Sequence, residues 1–127
     1  MNYLTVQQVL FIHARVVKET GGAGGLRDLG ALQSAVERPR LSYGSEDLYP
    51  DPFTKAAALL ESLVGNHPFV DGNKRAGIVA TALFLWLNRQ RLVASNDEVE
   101  AFVVTVARGT ADLATMAAWL SKHAEGR

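Results

Sequence analysis

Hydrophobic positions recur with a helical period along nearly the whole chain. Val6, Val9, Leu10, Val16 and Val17 form a stripe at i, i+3, i+4 spacing, and Thr5 with Gln8 has the spacing of a capping box that would open it. The run Gly21-Gly22-Ala23-Gly24-Gly25 ends this helix, because glycine loses the most entropy on ordering and accepts positive φ. Asp28 then caps a short helix carrying Leu29, Leu32 and Val36, which stops near Arg38-Pro39. No helical period runs through Leu41–Pro50, where Gly44 and Ser45 mark a loop or a short extended hairpin. Asp51-Pro52 restarts the pattern, Asp as cap and Pro at the first helical position, ahead of the stripe Phe53, Ala56, Ala57, Leu60, Leu63, Val64.

A break at His67–Gly72 precedes a long helix expected from near Asn73 to Asn88. Its centre, Ile78 to Leu87, is apolar on all sides, which predicts that this helix is buried all round in the middle of a bundle. Two more stripes follow: Val99, Phe102, Val103, Val106 after Ser95–Asp97, and Leu113, Met116, Ala117, Leu120 after Thr110, with Gly109 as the stop between them. The expected fold is therefore all-α, a compact six-helix bundle around a buried central helix, with a possible short flap hairpin. No repeat, low-complexity tract or linker divides it, so residues 1–127 are expected to form a single domain.

Composition narrows the function classes. At 127 residues, with 48% hydrophobic and 20% charged, the chain has the mixture of a folded domain rather than a disordered one. Thirteen Lys+Arg balance thirteen Asp+Glu, which argues against direct nucleic-acid binding, since that normally brings a basic surplus. The absence of cysteine removes disulfides, thiol nucleophiles and Cys-based metal sites. The opening Met1-Asn2-Tyr3-Leu4 has no signal-peptide character, and the longest apolar stretch, Ala76–Leu87, is too short for ~30 Å of hydrocarbon. A cytoplasmic protein without a membrane partner is expected.

One segment differs from the rest: His67-Pro68-Phe69-Val70-Asp71-Gly72-Asn73-Lys74-Arg75. It lies between two helices, and proline disfavours helical geometry at His67, so the first should end there. Gly72 allows close backbone approach, after which the new helix presents free N–H groups and the positive end of its dipole, a ready site for phosphate. Lys74 adds a point charge and Arg75 a planar fork for phosphate oxygens. Asp71 supplies the hard carboxylate oxygen that Mg²⁺ takes alongside phosphates and water. His67 brings an imidazole, a group that ordinarily titrates near 6.5 and can accept the proton of an attacking hydroxyl. Phe69 would anchor the loop in the core. Base, metal ligand, phosphate cradle and cations in nine residues describe a transfer reaction on a nucleotide.

These nine residues resemble the Fic/Doc signature, His-x-Phe-x-Asp/Glu-Gly/Ala-Asn-Gly/Lys-Arg, whose chance occurrence is on the order of one in 10⁸. The short all-α layout, the Gly-rich turn before Gly25-Leu26-Arg27-Asp28 and the uncharged helix after Arg75 resemble the death-on-curing (Doc) branch. Two departures from the AMP-transferring Fic pattern matter. Those enzymes carry glycine where this chain has Lys74, and usually a second arginine three residues after the first, where this chain has Ile78. A lysine side chain fills the room in which a diphosphate would nestle, and the missing arginine would have gripped the terminal phosphate. The resemblance to the Doc branch implies ATP held the other way round, its terminal phosphoryl facing the target hydroxyl. It thus implies a Fic-type bundle and a toxin of a type II toxin–antitoxin module that phosphorylates a Thr or Ser hydroxyl. The implied substrate is elongation factor Tu, the cofactors ATP and Mg²⁺, and the outcome arrested translation. On that reading His67 takes the proton, Asp71 holds Mg²⁺, Gly72 and Asn73 offer backbone and amide donors to phosphate, and Lys74 and Arg75 neutralise charge on the transferring group. An AMP-transferring Fic enzyme and a non-catalytic helical binding module are the alternatives.

The remaining features are plainer. His13, on the apolar stripe of the first helix, reads as a hydrogen-bonded core histidine, and His123 as a surface residue near a helix end. Trp86 and Trp119 read as core or groove wall. Leu41–Pro50 reads first as a connection. Its functional reading is the flap that pairs with an extended target segment in Fic-fold enzymes, with Tyr43, Leu48 and Tyr49 lining the groove. Ser121–Gly126 matches the inhibitory-helix pattern of some Fic proteins only by coincidence, because the arginine that its glutamate would meet is absent. The Doc resemblance implies regulation by a separate antitoxin whose helical tail lies in a groove beside the site.

Overall fold

The computed structural model describes residues 1–127. Six α-helices account for most of the chain: α1 (Val6–Thr20), α2 (Leu29–Glu37), α3 (Pro52–Gly65), α4 (Asn73–Leu87), α5 (Asn96–Ala107) and α6 (Leu113–Lys122). A 3₁₀ turn, Arg38–Arg40, continues α2. Five of the six helices begin where a side chain satisfies free N–H groups. Thr5 and Gln8 form both arms of a capping box on α1, as Ser95 and Glu98 do on α5. Asp28 accepts from Ala31 N–H, and Asp51 from Phe53 and Thr54 N–H. The last helix is capped by Asp112 rather than Thr110. α4 is the exception, entered through Gly72 in the left-handed conformation with no side-chain cap.

The fold is all-α with a buried central helix, but that helix is α3, not α4. Nine of the fourteen residues of α3 are buried, including Ala56, Ala57 and Ala58, whose small side chains let neighbours close in from several directions. α2, the 3₁₀ turn, α4, α5 and α6 all pack on it. α4, although apolar all round, leaves Val79 and Trp86 about 45% and 44% exposed. Trp86 is partly covered by the Arg127 guanidinium, 4.0 Å above its ring. Where α3 and α4 cross, Gly77 lets them approach closely: a Cβ there would sit 3.0 Å from Val64 Cγ2 and 3.4 Å from Leu60 Cδ1.

Two small antiparallel pairs complete the architecture. β1 (Ser42–Tyr43) and β2 (Glu46–Asp47) form the hairpin in the 41–50 segment, with Tyr43 opposite Glu46 and Ser42 opposite Asp47. The second pair was not foreseen: β3 (Gln90–Leu92) with β4 (Ala124–Gly126). Within the Ser121–Gly126 match only Ser121 and Lys122 are helical, and Glu125 pairs with Arg91 across the strands. Trp119 lies stacked on Phe102 and His123, at 3.9 and 4.0 Å between ring centres. His123 is half-buried rather than exposed, with its Nε2 3.2 Å from Glu98. No helix is long and apolar enough to cross a membrane.

Candidate active site

α3 ends at Gly65, and His67 follows with φ at +48°, a left-handed conformation that costs a residue with a Cβ about 1–3 kcal/mol. The surroundings hold it there. Arg27 Nε donates to the His67 carbonyl at 2.6 Å and Nη2 to the Asn66 carbonyl at 2.8 Å, so one guanidinium closes the C-terminal end of α3. The backbone beside it zips onto the loop. Arg27 and Asp28 N–H both donate to Pro68 O, Val70 N–H donates to Gly25 O, and Leu26 faces Phe69 as an isolated bridge. The segment after the glycine run is therefore a strap across the loop as well as a helix start.

From below, Phe69 is 2% exposed and its ring lies parallel to that of His13, with centroids 3.7 Å apart. His13 is buried and hydrogen-bonded, as its place on the stripe predicts. Its partner is the Asp71 carbonyl at 2.7 Å, and because a carbonyl only accepts, Nε2 carries the proton. Gly72, at φ +77°, passes directly over this contact. A Cβ there would lie 3.5 Å from Val17 and 3.6 Å from His13 Nε2. Asn73 pairs in both directions with Phe69, Oδ1 accepting its N–H and Nδ2 donating to its carbonyl, each at 3.0 Å. Its amide is thus a clamp on the loop, with one Nδ2 hydrogen and the backbone N–H left to act as anion donors.

Six residues were singled out by sequence, and all lie on the turn from α3 into α4 or in the first turn of α4. His67, Asp71, Lys74 and Arg75 are exposed, and Gly72 and Asn73 half-exposed. The N–H groups of Asn73, Lys74 and Arg75, the first of α4, have no partner in the chain, and neither cation is in an ion pair. Asp71 Oδ1 accepts from Gly72 N–H at 3.0 Å and Oδ2 from Ala23 N–H at 3.3 Å, so the glycine run reaches the carboxylate. A Cβ on Gly22 would come within 2.8 Å of Oδ2. Ile78 packs against the core, leaving no cation at that position of α4.

At the C-terminal end of α3, up to the residue before His67, opens a polar cleft of about 500 Å³, lined by Ser34, Arg38, Leu41, Glu61, Ser62 and Asn66 among others. Arg38 crosses it, donating to Tyr49 Oη, Glu61 and Ser62. Burial alone would lower the pKa of this guanidinium, but its bonds to Tyr49 and Glu61 outweigh that and raise it. Leu41, at the base of the β1–β2 hairpin, shares the cleft wall with Asn66. Tyr43 and Leu48 are exposed on the hairpin, whereas Tyr49 is half-buried.

His13, Arg27 and the Gly22–Ala23 turn are parts of this site that the sequence pattern left unassigned. His13 gave a signal, a lone histidine on an apolar stripe. Arg27 gave none, since a single arginine before a capping aspartate is indistinguishable from a solvated charge.

Comparison with known proteins agrees with the loop's signature. The sequence model of the Fic/DOC family matches residues 3–85. Over 106 residues the chain is 42% identical to Toxin Doc of Mycolicibacterium smegmatis, covering 82% of both proteins. It is 26% identical over 113 residues to Protein kinase doc of Escherichia phage P1, covering 89% of this chain and 86% of that protein.

Proposed function

The chain belongs to the Fic/DOC family, and from that premise we propose that it is the toxin of a type II toxin–antitoxin module, a protein kinase that moves the γ-phosphoryl group of Mg-ATP to a Thr or Ser hydroxyl of elongation factor Tu. The observation that carries the reading is the turn into α4. Three unpartnered N–H groups, two unpaired cations and an exposed imidazole lie on or beside this turn, with Lys74 where the AMP-transferring pattern has glycine and Ile78 in place of a second arginine. The names of the two relatives, a toxin and a protein kinase, support it.

The residues present fit the substrate and its metal. Gly72 turns the main chain into α4 in the left-handed conformation, and the helix dipole favours negative charge at the free N–H groups that follow. Asp71 offers one exposed carboxylate, and no cluster of three ligating side chains surrounds it. That suits Mg²⁺, which is usually held by one or two carboxylates with substrate phosphates and waters completing the shell. When bound, the ion would neutralise charge on the phosphates. His67 accepts the proton of the target hydroxyl as its oxygen bonds to the γ-phosphorus. The bond from that phosphorus to the β-phosphate bridging oxygen breaks, and ADP leaves. Lys74 and Arg75 balance charge on the transferring group, and the N–H groups of Asn73, Lys74 and Arg75 hold phosphate oxygens.

On this reading residues 1–127 act as one catalytic domain in the cytoplasm, where translation takes place. Phosphorylation arrests translation, and an antitoxin's helical tail silences the site from a neighbouring groove. The test compares label transfer from γ-labelled and α-labelled ATP to purified elongation factor Tu, with and without Mg²⁺. Transfer of the γ label alone, lost in His67→Ala and in EDTA, is the expected result. Transfer of the α label would replace kinase with AMP transferase, and growth inhibition undiminished in His67→Ala would point to a non-catalytic module.

A further inference from the structure

Lys55 is the one lysine buried in the core, 1% exposed in the first turn of α3. A buried ammonium needs acceptors, and this one finds them outside its own helix. Nζ donates to Pro39 O in the 3₁₀ turn at 3.0 Å and to Asp47 Oδ2 in β2 at 3.1 Å, and lies 5.6 Å from the centre of the Tyr3 ring. Asp47 is about half exposed, so the pair reaches from the interior to the surface.

The other side-chain hold on the 41–50 segment lies beyond the strands, where Arg38 donates to Tyr49 Oη at 3.0 Å. Residues 41–48 are all exposed, and Asp47 makes their only side-chain hydrogen bond to the body of the protein. Two strands of two residues each cannot fix their own position, since an isolated hairpin is marginal in water. Both outer edges of the pair are unpaired, the condition for accepting an extended segment as a third strand. At the hairpin's base, Leu41 lines the same cleft as Asn66, next to His67. The angle of the hairpin over that cleft therefore depends on Lys55–Asp47 within the strands and on Arg38–Tyr49 where the chain leaves them.

We infer that Lys55 is a positioning residue for the protein substrate: its ammonium pins the β1–β2 hairpin through Asp47 at the angle at which an extended acceptor segment docks beside His67. Lys55 touches neither nucleotide nor acceptor and acts through Asp47. The inference rests on the kinase reading for its kinetic consequence, but the anchor itself does not. Asp47→Ala is the direct variant at the surface, and it leaves the buried Lys55 ammonium with Pro39 O as its one remaining acceptor. Lys55→Met, which removes the buried charge, is its counterpart, and the double variant shows whether the two act as a pair.

Expected in Asp47→Ala is a KM for elongation factor Tu raised at least fivefold, with kcat and the KM for ATP each within twofold of the parent. Amide hydrogen exchange at residues 42–48 should be at least tenfold faster, with α3 and α4 unchanged. Lys55→Met and the double variant should match Asp47→Ala in both measurements. Unchanged exchange in the hairpin would overturn the anchor. Faster exchange with an unchanged KM for the acceptor would overturn its role in docking. If the parent itself transfers no γ label to the acceptor, the kinase reading fails, and hairpin exchange alone then upholds or overturns the anchor.

Discussion

Replacing Arg27 with alanine separates the stability of the loop from its chemistry. The guanidinium makes two charge-assisted hydrogen bonds, at 2.6 and 2.8 Å, to the carbonyls of His67 and Asn66. Such bonds contribute ~1.5–3 kcal/mol each where water is excluded, but these are exposed, and water can replace them on both carbonyls. A total loss of about 1–2 kcal/mol follows, a small part of the ~6–19 kcal/mol expected for a chain of this length. That lowers the melting temperature by about 4–8 °C. The kinetic effect should be far larger than this. His67 sits at φ +48°, and with its carbonyl released the residue is free to relax into an ordinary backbone conformation. Displacing a catalytic group by about 1 Å costs on the order of 10²-fold in rate. Arg27→Ala, assayed well below its melting temperature with γ-labelled ATP, should therefore lose ~10²-fold in kcat. Arg27→Lys, whose single ammonium reaches only one carbonyl well, should fall between. A kcat within threefold of the parent, alongside the expected drop in melting temperature, would refute the reasoning and leave Arg27 as a helix cap only.

Two further outcomes are expected elsewhere in the fold. Gly77→Ala gains up to ~1 kcal/mol of helix propensity, but its Cβ meets Val64 at 3.0 Å and Leu60 at 3.4 Å, both fully enclosed in α3. A net loss of about 1 kcal/mol should appear in urea titration, and a gain would mean that α4 slides freely on α3. Asp51→Ala removes the cap of the central helix and should cost about 1 kcal/mol at pH 7. Burial tends to raise the pKa of this carboxyl, but the N–H and hydroxyl of Thr54 and the N–H of Phe53 outweigh it and hold the group below its ordinary 3.8. A depressed folded-state pKa gives stability that is fully present above 3.8 and lost as the pH falls through the lower value. The gap between parent and variant in thermal melts should thus be constant from pH 5 to 7 and narrow below pH 3.8. A gap that widens in acid would contradict this.

Helix starts were the most legible part of the chain, because a cap is a local bargain between one side chain and the next few N–H groups. Thr5, Asp28, Asp51 and Ser95 all open the helices they announce. The identity of the central helix was not legible. Ile78–Leu87 is greasier than anything in α3, yet burial follows from how many neighbours can approach, and Ala56-Ala57-Ala58 admits more of them. The β3–β4 pair escaped notice because three-residue strands joined across 34 positions leave no periodic trace. Of the candidate site, the signature loop stood out at once, since its chemistry is contiguous. The groups that shape it, His13, Arg27 and the Gly22–Ala23 turn, arrive from 40 or more residues away through main-chain contacts that no side-chain pattern encodes.

The six residues from Asn66 to Asp71 are gripped by α1 from beneath and by the glycine strap from one side, with Asn73 locking them to α4. Such a segment has no private melting transition: it cannot loosen while its three holders stay in place, nor assemble before they meet. A newly made or partly unfolded copy is consequently inert, and catalytic competence arrives in a single step with the finished tertiary structure. Heat should abolish enzyme turnover and helical circular dichroism along one superimposable curve.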